Sequence, residues 1–111
     1  MSEDKEIYDK LVRDKIPEMI NKADKYALTH VADDEEMKEK LAAKLLEEFK
    51  EFKENPTADE LADILEVIDG LAAVYQLDTA DVQKAKAAKY EERGGFTNRI
   101  ILDMVINSTY E

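Results

Sequence analysis

The sequence lacks cysteine and tryptophan and is poor in proline, glycine and histidine. Without cysteine, neither a disulfide framework nor a thiolate metal site can form. No apolar run approaches the roughly 18 residues of a membrane span, and residues 1–6 (MSEDKE) contain no apolar segment of the kind that signal peptides carry. These absences predict a cytoplasmic chain with no membrane partner, in which residues 1–6 are flexible.

Positive charge is also scarce, since 16 Lys and Arg residues stand against 27 Asp and Glu, for a formal net charge of -11. Binding to a nucleic-acid backbone is driven by clustered Lys and Arg, so no nucleic-acid partner is expected. The same charge is compatible with bound metal ions, or simply with solubility.

The chain has 111 residues and is expected to be a single domain. A domain of this size is near the limit at which contact with a partner subunit helps to bury its apolar side chains, which predicts a homodimer or homotetramer.

Helical spacing and capping residues predict an all-α fold, a compact bundle of four to five helices. Pro17 suits the first turn of a short helix, and apolar positions at helical spacing continue to Ala27. Asp33 or Asp34 can cap a longer helix that runs to about Glu54. This long helix is expected to form one arm of a central antiparallel hairpin.

The pair Asn55-Pro56 ends the long helix, because the residue before proline is pushed out of the α region. Thr57 and Glu60 then form the ends of a capping box, in which each side chain can bond to a free backbone N–H of the next helix. That third helix is predicted to reach Tyr75 or Gln76.

A fourth helix is predicted from Asp78 or Thr79 to about Arg93, where Gly94-Gly95 terminates it. Residues 96–111 (FTNRIILDMVINSTYE) are rich in apolar and β-branched side chains. They could form a short strand or a further helix, and their periodicity does not decide between the two.

The central hairpin brings acidic residues together. Its two helices are antiparallel neighbours, so positions at equal distance from the turn face each other. Glu51 therefore lies opposite Glu60, and Glu48 lies opposite Asp63. Within each helix the two acids are i, i+3 neighbours on one face. The sequence thus predicts four carboxylates in one small volume, on or beside the apolar stripe of each helix.

Carboxylates on a packing face are costly unless they are paired or neutralised, and a bound cation would do both. Ligands that are all oxygen favour Mg²⁺, with Mn²⁺ as a substitute. However, 27 acids in 111 positions give about six acidic i, i+3 pairs by chance. The geometry by itself leaves two interpretations open, a metal site and an ordinary solvated acidic face.

Two short motifs resemble a known family. "EEFKE" (47–51) and "ELAD" (60–63) look like the EExxE and ExxD signature of the MazG-like, all-α nucleoside triphosphate pyrophosphatases. The segments "YDKLVRDKIPEMI" (8–20) and "KYEERGGFTNRI" (89–100) are similar to the start and end of a compact branch of that superfamily. Only eight residues separate Glu51 from Glu60, fewer than in many larger members, so the substrate preference is not carried over.

The resemblance implies Mg²⁺-dependent hydrolysis of a nucleoside triphosphate between the α and β phosphates, giving a monophosphate and pyrophosphate, in nucleotide-pool housekeeping. By matched position the metal ligands would be Glu48, Glu51, Glu60 and Asp63. Glu47 would complete the catalytic set by serving a second metal or orienting water.

A triphosphate also needs cationic partners. The candidates are Lys86, Lys89 and Arg93, which share a helix face, and Arg13 and Lys15, which match the family's N-terminal segment. Each has a structural alternative, because cations near a helix C-terminus stabilise the helix dipole and Arg13 could pair with Asp14 or with another subunit.

Two other functions remain open at this point. The phosphoribosyl-ATP pyrophosphatase of histidine synthesis belongs to the same superfamily and cuts the same bond in a different substrate. A non-catalytic acidic helical bundle, acting as a dimerisation or protein-binding module, would carry carboxylates that are solvated and individually dispensable. His30, in a predicted loop, is expected to be a surface residue rather than a catalytic base.

Overall fold

The computed structural model describes residues 5–107 and contains four α-helices and no strand within that range. The helices are α1 (Ile16–Lys22), α2 (Asp34–Glu54), α3 (Ala58–Val74) and α4 (Thr79–Arg93). The predicted all-α class is therefore confirmed. The chain divides into two units, Met1–Asp78 and Thr79–Glu111. Residues 1–4 and 108–111 lie outside the described residues. They include part of the N-terminus that was predicted to be flexible and part of the predicted C-terminal element.

Helix α2 begins and ends at the predicted residues. The carboxylate of Asp33 caps the helix by accepting the N–H of Glu36 at 2.9 Å, which satisfies one of the free donors of the first turn. At the other end, Asn55 leaves the helical region with φ -141° and ψ 80°, as expected before Pro56. The capping residues therefore determine where α2 begins and ends.

Helix α3 starts with half of the predicted capping box. The Thr57 hydroxyl accepts the N–H of Glu60 at 3.2 Å, but among the described residues the Glu60 carboxylate makes no return bond to Thr57. The helix ends in a Schellman motif, in which Gln76 has φ +57° and Leu77 N–H donates to the Ala72 carbonyl at 2.8 Å. The Glu60 side chain is thus free to serve a purpose other than capping.

Helices α2 and α3 pack against each other as the predicted hairpin. Leu41 of α2 is 2% exposed, and Val67 of α3 is also buried. Gly70 lies against Leu41, because a Cβ built on Gly70 would be 2.9 Å from Leu41 Cδ2. The missing side chain at Gly70 lets the two helices approach closely at this level.

Replacing Gly70 by valine is expected to lower the free energy of unfolding by about 2 kcal/mol, because overpacking a filled contact costs about 1–3 kcal/mol. Ala73→Val places the same side chain at an exposed position of the same helix and controls for the helix propensity of valine. Urea denaturation of both variants measures the difference. Equal losses of stability in the two variants would contradict the close packing.

Helix α1 is shorter than predicted, because it ends at Lys22 and not near Ala27. Asp24 follows with φ +59°, a left-handed conformation that stops the helix. The Asn21 side chain then accepts the N–H of Ala27 at 3.0 Å. An asparagine at this position competes with the helical backbone bonds, which the apolar spacing alone did not reveal.

Helix α4 ends as predicted, since Gly94 has φ +79° and donates its N–H to the Tyr90 carbonyl at 2.8 Å. The prediction of a strand or helix after it is wrong for residues 96–107, which form neither. A strand needs a neighbouring strand for its backbone hydrogen bonds, and the described part of the chain contains no other strand. None of the helices in residues 5–107 combines the length and apolar character needed to cross a bilayer.

Candidate metal centre

Three of the four carboxylates predicted to converge come together between α2 and α3. Glu48, Glu60 and Asp63 each offer one oxygen, and these oxygens all lie within 4.8 Å of one another. Oxygens on opposite sides of an octahedral Mg²⁺ are about 4.2 Å apart. Small side-chain rotations would therefore bring this set onto one ion.

Two oxygens of the group are buried without a partner. Glu48 is only 6% exposed, and neither its Oε2 atom nor that of Glu60 has a hydrogen-bond partner among the described residues. A buried polar atom left unsatisfied costs about 1–3 kcal/mol, and more when it is charged. The unpartnered oxygens and the all-oxygen donor set both fit a hard divalent cation.

The surroundings of Glu48 work against its ionised form. Burial raises the pKa of the Glu48 carboxyl, the neighbouring carboxylate of Glu51 raises it further, and the Lys44 ammonium lowers it. Lys44 Nζ lies 3.4 Å from Glu48 Oε1. One lysine thus offsets only part of the cost of burying a carboxylate beside others, and a divalent cation would offset more.

Glu51 lies beside Glu48 but is exposed and is not one of the three residues that converge. Its carboxyl nevertheless stays close enough to Glu48 to raise the pKa of that residue. Its assignment as a fourth metal ligand stays a prediction.

Glu47 is held by two lysines. Its Oε1 atom accepts a hydrogen bond from Lys10 Nζ at 2.9 Å, and Lys44 Nζ lies 3.7 Å from its Oε2 atom. The hydrogen bond from Lys10 lowers the pKa of Glu47, burial opposes this, and Lys44 lowers it further. Glu47 is therefore ionised at neutral pH, and its role beside a second metal or an attacking water stays a prediction.

Arg13 reaches the same acidic group from the N-terminal segment. Its Nη2 atom donates to Asp63 Oδ1 at 2.7 Å, and its Nη1 atom lies 3.9 Å from Glu66 Oε1. Residues 8–13 are held there by a further bond, from Lys40 Nζ to the Asp9 carbonyl at 2.8 Å. The sequence left open a pairing of Arg13 with Asp14, and the structure pairs it with α3 instead.

The other candidate cations are placed as follows. Lys15 is the N-cap residue of α1 and is exposed. Lys86, Lys89 and Arg93 lie on exposed positions of α4, in the unit Thr79–Glu111, and their contact with phosphate stays a prediction. His30 is a surface residue as expected, and its Nε2 atom lies 2.9 Å from Glu36 Oε2.

Two residues of the site, Lys10 and Lys44, were not identified from the sequence. Lys44 is i, i+3 and i, i+4 from Glu47 and Glu48, a spacing that does favour ion pairs on a helix. Lys10 contacts Glu47 across 37 positions, and no local pattern indicates such a contact. The long-range part of the site could therefore be found only in the structure.

Comparisons with known proteins do not identify the chain. No protein-family model matches it, and no curated protein or solved structure does either. The MazG-like resemblance therefore stays a prediction that depends on the motifs quoted above.

Proposed function

We propose that this chain is a Mg²⁺-dependent nucleoside triphosphate pyrophosphohydrolase, which cleaves between the α and β phosphates to release a monophosphate and pyrophosphate. Mn²⁺ is expected to substitute for Mg²⁺. The proposal rests on the acidic group of α2 and α3 together with the MazG-like motifs in which its members occur. Removal of modified or surplus nucleotides is the role that the resemblance suggests.

One observation carries the proposal. Glu48 and Glu60 each have a buried oxygen without a hydrogen-bond partner among the described residues, and each offers one oxygen to a group of three donor atoms that lie within 4.8 Å of one another. A solvated acidic face would leave such oxygens in contact with water. Buried charges in proteins are normally paired or bound to metal, so this arrangement favours a cation site over the non-catalytic bundle.

The residues of the site suit phosphate chemistry. Glu48, Glu60 and Asp63 would hold the cation, which when bound supplies Lewis-acid polarisation of a phosphate oxygen and lowers the pKa of a coordinated water. The guanidinium of Arg13 lies 2.7 Å from Asp63 and has further N–H donors with which it would contact a substrate phosphate. Glu47 is ionised and would orient the attacking water or serve a second metal ion.

The proposal is tested by a hydrolysis screen over ordinary and modified ribo- and deoxyribonucleoside triphosphates with Mg²⁺, in which pyrophosphate and orthophosphate are detected separately. We expect pyrophosphate and the matching monophosphate in equal amounts, and no orthophosphate. Phosphoribosyl-ATP belongs in the same screen, because cleavage of that substrate alone would favour the related pyrophosphatase of histidine synthesis. A chain that releases no product from any of these substrates is not a pyrophosphohydrolase.

A further inference from the structure

A cleft lies between the N-terminal segment and α2, beside the acidic group. Residues 9–11 form one wall of it, and residues 40–47 of α2 form the other. The space between the walls measures about 240 Å³ and is open to solvent. We call it the lysine cleft, because Lys10, Lys40 and Lys44 all line it.

The lysine cleft is positively charged in a chain that is strongly acidic. Its three lysines stand against two lining carboxylates, those of Asp9 and Glu47, whereas the whole sequence has a formal net charge of -11. Like charges that lie close together disfavour one another. Three ammonium groups around one cleft therefore call for more negative charge than the lining residues supply.

Lys44 forms the boundary between the lysine cleft and the candidate metal centre. Its Nζ atom lies 3.7 Å from Glu47 Oε2 and 3.4 Å from Glu48 Oε1. Both distances exceed the roughly 2.7–2.9 Å of a close charge-assisted hydrogen bond, so two carboxylates share this ammonium group and neither holds it tightly. A divalent cation on Glu48 would take up the charge of that carboxylate, which would leave Lys44 available to an anion in the cleft.

The other two lysines are held at the cleft and still have N–H donors for a ligand. Lys40 Nζ donates to the Asp9 carbonyl at 2.8 Å and lies 3.3 Å from Asp9 Oδ1. Lys10 Nζ donates to Glu47 Oε1 at 2.9 Å, and this bond raises the pKa of Lys10, which is therefore charged at neutral pH. An ammonium group has three N–H donors. Each of these lysines can thus donate to a further acceptor.

We infer that the lysine cleft binds a diphosphate group. A phosphate group carries more negative charge than a carboxylate and offers more acceptor oxygens, and lysine binds it as a point charge. Three lysines around an open cleft suit such a multiply charged anion better than they suit a single carboxylate.

In the proposed hydrolase, on which this second step rests, the diphosphate is the β,γ end of the bound triphosphate. Lys44 contacts Glu48 of the candidate metal centre, so the cleft begins where the metal-bound phosphate would end. Lysines in that position would offset the negative charge of the pyrophosphate as it leaves.

Calorimetric titration of the full chain with pyrophosphate, at one saturating Mg²⁺ concentration, tests the cleft. Wild type is expected to bind with a dissociation constant below about 1 mM. Lys40→Gln should raise this constant about 10-fold or more, because it removes a hydrogen bond between charged groups. Lys50→Gln removes the same charge from an exposed position of the same helix and should change the constant less than about 2-fold.

Asp9→Asn separates an anion site from a contact that only holds the segment in place. Asparagine tolerates the left-handed conformation of residue 9, which has φ +44°, and it keeps the carbonyl that accepts from Lys40. Because the substitution removes one of the two lining carboxylates, pyrophosphate should bind about 3-fold tighter. Unchanged or weaker binding in Asp9→Asn would overturn the anion site.

Two further ligands distinguish the end of a nucleotide from free pyrophosphate. They are the monophosphate product and the α,β-methylene analogue of the best substrate from the hydrolysis screen. Lys40→Gln should weaken binding of the analogue about 10-fold and leave binding of the monophosphate unchanged. A loss confined to free pyrophosphate would overturn the assignment to the β,γ end of the substrate.

Failure of the lysine cleft can be told apart from failure of the proposed activity. Equal pyrophosphate affinities in Lys40→Gln and Lys50→Gln would overturn the cleft, even if the wild-type chain hydrolyses a triphosphate in the screen. A wild-type chain that binds pyrophosphate through Lys40 but releases no product in the screen would retain the cleft and reject the pyrophosphohydrolase.

Discussion

Glu48→Gln is expected to reduce Mg²⁺-dependent hydrolysis about 100- to 1,000-fold. Glutamine keeps the shape of the side chain but removes the negative charge that one of the three converging residues brings to the cation. Steady-state turnover on the best substrate from the screen measures this loss. Glu54→Gln changes an exposed glutamate on the same helix and should retain activity close to that of wild type.

The same substitution is expected to stabilise the metal-free protein. At neutral pH it replaces a buried carboxylate that has an unpartnered oxygen, so the free energy of unfolding in EDTA should rise by about 1 kcal/mol. If the ion pair with Lys44 outweighed the cost of burial, Glu48→Gln would instead lose stability together with activity. Full turnover in Glu48→Gln would refute its assignment as a metal ligand.

The stabilisation should depend on pH with a definite sign. Burial, and then Glu51, raise the pKa of Glu48 in the folded chain. A raised pKa means that the folded state holds this proton more tightly than the unfolded state does. The resulting stability is therefore present at low pH and is lost as pH rises through the folded-state pKa. The advantage of Glu48→Gln over wild type in EDTA should be absent near about pH 4 and present at about pH 7.

Magnesium is expected to raise the melting temperature of the wild-type protein by about 10–20 °C when its concentration is about 100 times the dissociation constant. Binding to the folded state alone contributes RT ln(1 + [L]/Kd), or about 2.7 kcal/mol at that concentration. Each kcal/mol shifts the melting temperature of a small domain by about 4–8 °C. Thermal melts followed by circular dichroism across a Mg²⁺ titration provide the measurement.

The chain has a net charge of -11, so Mg²⁺ could stabilise it simply by screening repulsion between carboxylates. Two controls distinguish this general screening from binding of Mg²⁺ at a specific site. NaCl of matched ionic strength reports screening alone. Glu60→Gln removes one of the three converging carboxylates and should abolish most of the Mg²⁺-dependent shift, whereas Glu54→Gln should retain it. A melting temperature that is the same in Mg²⁺ and in matched NaCl would count decisively against the metal centre, whatever the outcome of the hydrolysis screen.

The hairpin could be predicted from the sequence because its signals are local. Asp33 and Thr57 are capping residues with a fixed relation to the helices that follow, and Pro56 restricts the residue before it. Residues 96–107 could not be predicted in the same way. Their composition favours a strand, but strand formation depends on a partner that composition does not specify.

The positions of the site residues on α2 and α3 could be predicted, because they follow from the pairing of the two helices in the hairpin. Facing positions on two antiparallel helices predicted the meeting of Glu48, Glu60 and Asp63, which the structure contains. Glu51, which the same facing positions placed with them, is exposed and is not one of the three residues that converge. The approach of Lys10 and Arg13 depends on the path of residues 8–13, and no periodic pattern determines that path.

The short turn between α2 and α3 also bears on how the site is assembled during folding. Its three carboxylates lie no more than 15 positions apart along the chain, so bringing them together closes only a short loop and costs little chain entropy. Contacts of such low sequence separation are characteristic of fast-folding helical proteins. The geometry needed to bind a cation is thus specified by one folding unit, and it can arise as soon as the hairpin forms, before the N-terminal segment takes its place beside it.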